Sequence, residues 1–125
     1  MIADTTFVSD LFRERERGQS GPANQFFAEH RPEIIRVSII TAGELAVWFE
    51  HSWEAWVALR DWTICRLHPG IVDVAADIDR HLLASGERLG ENDNWIAGFA
   101  RYYREPIISR DAGFDRVPSL RRLAY

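Results

Sequence analysis

Apolar positions along the chain switch repeatedly between strand-like runs and helical spacing. Met1-Ile2-Ala3 is a brief apolar run that stops at Asp4, and Phe7, Val8, Leu11 and Phe12 then recur on one helical face. A strand feeding a helix is predicted, with an acid at the junction. Gly18 to Pro22 reads as a loop, and Ala23 to His30 as a second helix stopped by Pro32. Ile34 to Ile40 is a β-branched run broken only by Arg36 and Ser38, which predicts a buried parallel strand, and a helix is expected from Thr41 through Glu44, Leu45, Val47 and Trp48. Another helix is predicted from Ser52 to about Arg66. Ile71 to Val74 reads as a short strand or turn ahead of a helix over Ala75 to Ala84. After a loop at Gly86 to Gly90, Asn92 to about Arg104 reads as helical, with Trp95, Ile96, Phe99 and Tyr102 on one face. Pro106 closes that helix, Ile107 to Ser109 is the next strand, Asp111 lies just past its end, and Leu120 to Tyr125 can add a last strand.

Strands alternating with helices predict an α/β fold whose mainly parallel sheet is covered on both faces. In such folds ligands and chemistry collect beyond the carboxyl ends of the strands. Asp4 and Asp111 are both expected there. The 125 residues suit one domain, residues 1–125, and 46% hydrophobic against 27% charged residues is ordinary for a chain that buries a core. No apolar run reaches the roughly 18 residues of a membrane span, and the start lacks the basic and apolar regions of a signal peptide. With Cys65 the single cysteine, the expectation is a reducing, cytoplasmic setting and no contact with membrane.

Charge narrows the chemistry. Nineteen acidic residues face fifteen basic ones, and all fifteen are arginine. The absence of lysine excludes Schiff-base catalysis and Walker-A phosphate binding. It also excludes the receiver domains and haloacid-dehalogenase-type phosphatases, which pair an aspartate with a lysine; the latter further need an Asp where Thr6 stands.

Four acids stand at helix starts or strand ends: Asp4, Glu44, Asp93 and Asp111, with Asp115 one turn further on. Carboxylates gathered above a sheet repel one another unless protonated or neutralised, and a hard divalent cation with oxygen ligands, Mg²⁺ or Mn²⁺, is the usual neutraliser. Each acid also has a plain structural explanation. Thr41-Ala42-Gly43-Glu44 fits a capping box, Asp93 suits the positive end of a helix dipole, and Asp4 and Asp111 can cap the helix or turn that follows.

The surrounding residues resemble a family. Ile2-Ala3-Asp4-Thr5-Thr6-Phe7-Val8, Val37-Ser38-Ile39-Ile40-Thr41-Ala42-Gly43-Glu44-Leu45, Leu89-Gly90-Glu91-Asn92-Asp93-Asn94-Trp95-Ile96-Ala97 and the segment from Ile107 to Leu120 are similar to the four successive motifs of PIN-domain ribonucleases, most of all the VapC-type toxins of toxin-antitoxin pairs. The resemblance spans nearly the whole chain in the family's order. It implies a three-layer α/β/α PIN-like domain with a mainly parallel central sheet of four to five strands. By the same resemblance, Asp4, Glu44, Asp93 and Asp111 are the catalytic acids, of which Asp4, Asp93 and Asp111 bind Mg²⁺ or Mn²⁺. Thr6 falls where a hydroxyl supports the first Asp, Ser109 precedes the last acid by two, and Asp115 is an accessory position. Thr-Thr stands where Thr-Ser is commoner, and the region holding Trp48, Trp53, Trp56 and Trp62 is unusually rich in tryptophan.

The implied reaction is metal-dependent hydrolysis of an RNA phosphodiester bond. Because the chain is acidic overall, local arginines have to supply the phosphate contacts. Arg110, beside Asp111, is the candidate substrate-binding residue, whereas Arg13, Arg15 and Arg17 fit a solvated helix end. The four histidines lie outside the motifs, and the tryptophans suit core or interface packing. As a toxin the chain would have a cognate antitoxin laid across a groove and would form a homodimer. Two alternatives remain open: a catalytically inactive PIN-fold binding or dimerisation module, and an RNA-processing PIN nuclease without an antitoxin.

Overall fold

The computed structural model describes residues 1–125. Its elements run β1 (Ile2–Ala3), α1 (Thr5–Glu16), α2 (Pro22–Glu29), β2 (Arg36–Ser38), α3 (Ile39–Ala46), α4 (Ser52–Ala58), β3 (Thr63–Cys65), α5 (Pro69–Ala84), α6 (Glu91–Tyr103), β4 (Ile107–Ile108), a 3₁₀ turn (Ala112–Arg116) and β5 (Arg122–Leu123). The five strands form one sheet in the order β3-β2-β1-β4-β5, and every pairing is parallel. Neighbouring registers match residue for residue, with Ile2 opposite Ile107 and Ala3 opposite Ile108.

Alternation along these short strands divides the core into two halves. Ile2 and Ile107 face one side, where Ile71, Ile78 and Leu82 of α5 and Ile96 and Phe99 of α6 close over them. Ala3, Val37 and Ile108 face the other side and meet Phe7, Val8 and Leu11 of α1, Phe26 of α2 and Leu45 of α3. Both faces of the sheet are therefore dry, as an all-parallel sheet requires. The architecture is the expected three-layer α/β/α arrangement, with all five strands present.

Three local expectations are corrected. Ser52 to Arg66 is not one helix: α4 stops at Ala58 and Thr63–Cys65 pairs with β2 as the edge strand. Sheet pairing of this β-branched Thr-Ile segment overrides its helix-like spacing. Ile71 to Val74 is helical, because α5 begins at Pro69 with the His68 ring accepting from the Gly70 amide, and Ile71 and Ala75 then recur on its buried face. The β-branched run from Ile34 yields only three strand residues. The Ser38 hydroxyl accepts from the Thr41 amide and starts α3 at Ile39, so Thr41 is not the cap.

Helix α2 shows how a missing local cap is replaced. Its N-cap residue, Gly21, has no side chain, and the Glu14 carboxylate of α1 accepts from the amides of Ala23 (3.2 Å) and Asn24 (2.7 Å) instead. A Cβ at Gly21 would fall 2.2 Å from that carboxylate, so the glycine makes room for the substitute cap.

A second close approach joins α5 to α6. A Cβ on Gly98 would lie 2.9 Å from the Ala75 Cβ and 3.3 Å from its Cα, so the two helices touch through their smallest residues. Gly43, on the open face of α3, has nothing nearby. Gly98→Ala should therefore lower the melting temperature by about 3–8 °C, overpacking outweighing the roughly 1 kcal/mol gained in helix propensity. Gly43→Ala should raise it by about 2–4 °C. Thermal melts of the two variants read both directions, and a Gly98→Ala protein as stable as wild type would contradict the tight α5–α6 contact.

Candidate active site

In the order β3-β2-β1-β4-β5 the chain grows outward in one direction through β2 and β3, then returns across β1 to add β4 and β5 on the other side. The switch point lies between β1 and β4, at whose carboxyl ends a parallel sheet opens a crevice. Asp4 follows β1 directly, and Ser109 and Asp111 follow β4.

Asp4 is 4% exposed. Its Oδ1 accepts from the Phe7 amide at 2.7 Å, which caps α1, and its Oδ2 accepts from the Ser109 hydroxyl. The cap and the site are thus one carboxylate. Burial raises its pKa to about 6 and the charges of Asp93 and Asp10 add to the rise, while the two hydrogen bonds oppose it. Asp93, in the first turn of α6, is likewise raised, chiefly by burial and then by the charges of Asp111 and Glu44. These mutual effects connect all four acids singled out in the sequence.

Glu44 is not engaged in a capping box. Its two carboxylate oxygens accept from the Thr5 hydroxyl on α1 and from the Asn92 amide of α6, the latter at 2.9 Å. Neither Thr5 nor Asn92 was singled out from sequence, although both lie inside the motifs that carry the resemblance. Asp111 caps the 3₁₀ turn by accepting from the Gly113 amide at 2.7 Å, and its own amide donates to the Ser109 hydroxyl at 3.0 Å. Ser109 thereby holds Asp4 and Asp111 together.

Two accessory candidates have different surroundings from those expected. Thr6 is exposed and makes no hydrogen bond to Asp4; the supporting hydroxyl is that of Ser109. Asp115 is paired with Arg122 through two hydrogen bonds of 2.9 and 2.8 Å, which hold its carboxyl below the usual range. Arg122 also donates to the Ser109 carbonyl at 3.2 Å, so Asp115 acts on the β4–β5 edge through its partner. Arg110 is more than half exposed beside Asp111, with one guanidinium nitrogen 2.7 Å from Asp10.

The donor set is entirely oxygen and carries competing negative charge, the chemistry that suits a hard divalent cation. No three acidic, histidine or cysteine side chains converge into a ready cage. Mg²⁺ commonly takes only one or two carboxylates and keeps several waters, so the residues present fit such an ion.

A parallel α/β sheet with an oxygen-ligand acidic site over its switch point defines the class of domain. The family model described as PIN domain matches residues 1–120, and the chain belongs to the PIN domain family. PIN domains are generally nucleases. Solved structures share the fold. VapBC2 from Rickettsia felis bound to a DNA fragment from its promoter superposes with a TM-score of 0.79 at 16% identity, covering 99% of this chain and 97% of that one. VapBC-1 from nontypeable Haemophilus influenzae gives 0.78 at 21% identity, covering 98% and 96%. A toxin-antitoxin complex from Klebsiella pneumoniae gives 0.70 at 23% identity, covering 95% and 93%. No curated protein matches the chain.

The Asp4 carboxyl implies a pH dependence of stability. Its folded pKa of about 6 lies above the ordinary 3.8, so the folded chain holds this proton more tightly than the unfolded one. Between about pH 4 and pH 6 this group's contribution to the stability of the metal-free protein should fall as pH rises, by about 3 kcal/mol in the limit. Asp4→Asn should lack that contribution, so that its stability gains on wild type as pH rises and it melts higher than wild type at pH 7. Chemical denaturation from pH 4 to 7 with a chelator present measures it, and parallel curves for the two proteins would refute the buried, strained carboxyl.

Proposed function

We propose that this chain is a Mg²⁺- or Mn²⁺-dependent endoribonuclease and the toxin of a toxin-antitoxin pair. The observation that carries this reading is the Asp4, Glu44, Asp93 and Asp111 group at the β1–β4 switch point, with two of its carboxyls raised by burial and mutual charge. Asp4, Asp93 and Asp111 would hold the ion. Bound there, it would lower the pKa of an attacking water and offset charge on the phosphate.

The chain's own residues do the positioning. Ser109 orients the Asp4 carboxylate toward the crevice while bonding the Asp111 amide. Glu44, fixed at both oxygens by Thr5 and Asn92, accepts a hydrogen bond from the attacking water and aligns it. Glu44, which is not among the residues that would hold the ion, then takes the proton that water loses as its oxygen bonds to phosphorus. The phosphorus–oxygen bond to the leaving ribose then breaks. Arg110 offers a fixed positive charge and a planar fork to a phosphate of the strand.

Partner assignments follow from the surface. A groove of about 400 Å³ between α1, α2 and the end of α4 is lined by Phe12, Phe27, Ile35 and Trp62, with charges of both signs, Arg15, Arg31, Glu33 and Asp61, among its lining. Phe12 and Phe27 both meet the Trp62 ring, giving an aromatic floor suited to an antitoxin helix with an apolar stripe. Trp48, Trp53, Trp56 and Val57 are about half exposed and Val47 more so, a patch suited to homodimerisation. The VapBC and toxin-antitoxin structures that share the fold support this partner class.

Cleavage of a structured RNA with Mg²⁺ or Mn²⁺ tests the catalytic part. Asp4→Asn and Asp93→Asn should each lose at least about 100-fold in kcat, since a charged group acting on the transition state is worth several kcal/mol. Mn²⁺ should also raise the melting temperature of wild type but not of Asp4→Asn. Absence of cleavage by wild type, with no stabilisation by Mn²⁺, would favour the inactive binding module instead, and equal cleavage by all three proteins would overturn the site.

A further inference from the structure

Arg110, already assigned to a phosphate of the strand, forms one wall of a cleft whose other residues the reading above does not use. The cleft has a volume of about 280 Å³ and is walled by α1, Arg110 and Tyr125, with Arg13 and Arg17 along its α1 side. Three guanidinium groups therefore border a small space, in an otherwise acidic chain, next to the residue that precedes Asp111.

The two carboxylates in the same cleft are already engaged. Glu14 is spent on the amides that start α2. The Asp10 Oδ2 accepts from the Tyr125 hydroxyl at 2.9 Å and lies 2.7 Å from an Arg110 nitrogen. Arg110 also lies over the Tyr125 ring at 5.4 Å, and that ring packs edge-on against Phe7 at 4.9 Å. Phe7 in turn supplies the amide that holds Asp4. Arg110 is thus gripped on two sides while more than half of it stays exposed and most of its five N–H donors stay free. Arg17 has no ion-pair partner within 4 Å, and Arg13 only grazes Asp10 at 4.0 Å.

A long side chain held by an ion pair and an aromatic face loses less freedom when it takes up a ligand, so its free donors are preorganised for a planar anion. A phosphodiester of the RNA backbone fits that description. Resting on the nuclease reading, we propose that this cleft is a subsite for a backbone phosphate flanking the scissile one, with Arg110 and Arg17 as its contacts and Asp10 and Tyr125 as positioning residues. The same network ties the subsite to Asp4 through Phe7, so strand and carboxylates share one frame.

The test combines cleavage kinetics with binding of a fluorescent RNA oligonucleotide measured by anisotropy without divalent ions. Arg110→Ala should raise KM and the metal-free Kd about 5–10-fold with kcat within 2-fold of wild type. The slope of log Kd against log salt should fall by about 0.7, the loss of one phosphate contact on a single strand. Arg17→Ala should raise KM about 3-fold, and Arg110→Lys should restore the salt slope but only part of the affinity. Tyr125→Phe, which keeps the ring and loses the hydroxyl, should raise KM 2–3-fold with an unchanged salt slope and melting temperature. Arg80→Ala on α5 is the remote control and should match wild type. The subsite is refuted if Arg110→Ala and Arg17→Ala keep the wild-type KM, Kd and salt slope, or if the wild-type chain binds no RNA at all. Should wild type bind RNA through Arg110 yet fail to cleave it, the subsite stands and the nuclease reading falls.

Discussion

Asp4 lies almost wholly buried at the end of the central strand, where its carboxylate is held by donors from opposite ends of the chain, the Phe7 amide and the Ser109 hydroxyl. Burying a carboxylate is costly, and here the cost is only partly met, because its pKa still rises to about 6. Everything near the site answers to that imbalance. The start of α1 offsets it with an amide, β4 offsets it with Ser109, and the remaining excess negative charge is the chemistry that suits a hard cation. One group links helix initiation, sheet order and the chemistry.

The all-parallel sheet makes this possible. Parallel strands send their carboxyl ends to one edge, and the reversal of strand order between β1 and β4 leaves that edge uncovered by any crossover. Strands of two or three residues suffice because both faces are covered: α1, α2 and α3 on one side, α5 and α6 on the other. The Gly98–Ala75 contact lets α6, the helix whose first turn carries Asp93, lie close on α5.

Arginine carries all the positive charge of the chain, and its distribution is uneven in purpose. Arg122 and Arg88 are committed to bidentate pairs with Asp115 and Asp79. Arg15 rests over the Phe27 ring. Arg13 and Arg17 share a cleft with Arg110, whose pairing with Asp10 leaves most of its donors free, while the Glu14 carboxylate there is bonded to the amides that start α2. A net charge of −4 therefore says little about the field at any one cleft. The local field depends on which guanidiniums remain uncommitted.

The sequence by itself determined the alternation of strands and helices, the fold class and the four acids, because each rests on local spacing or on motifs that occupy contiguous residues. Asp4, Glu44, Asp93 and Asp111 were legible for that reason. Two things depended on tertiary contact: Thr63–Cys65 became a strand because β2 offered an edge, and Glu44 bonds Thr5 and Asn92. The Ser38 cap in place of Thr41 is by contrast a local bond, three residues apart, set by where β2 ends. Thr6 and Asp115 found surroundings their motif positions did not disclose. The Asp10–Arg110–Tyr125 network had no sequence signal at all, since its members lie 15 to 115 residues apart and meet only after the sheet has closed. Local spacing decides which element a residue joins, whereas hydrogen-bond and ion-pair partners are chosen among groups that only the folded chain brings within about 3 Å.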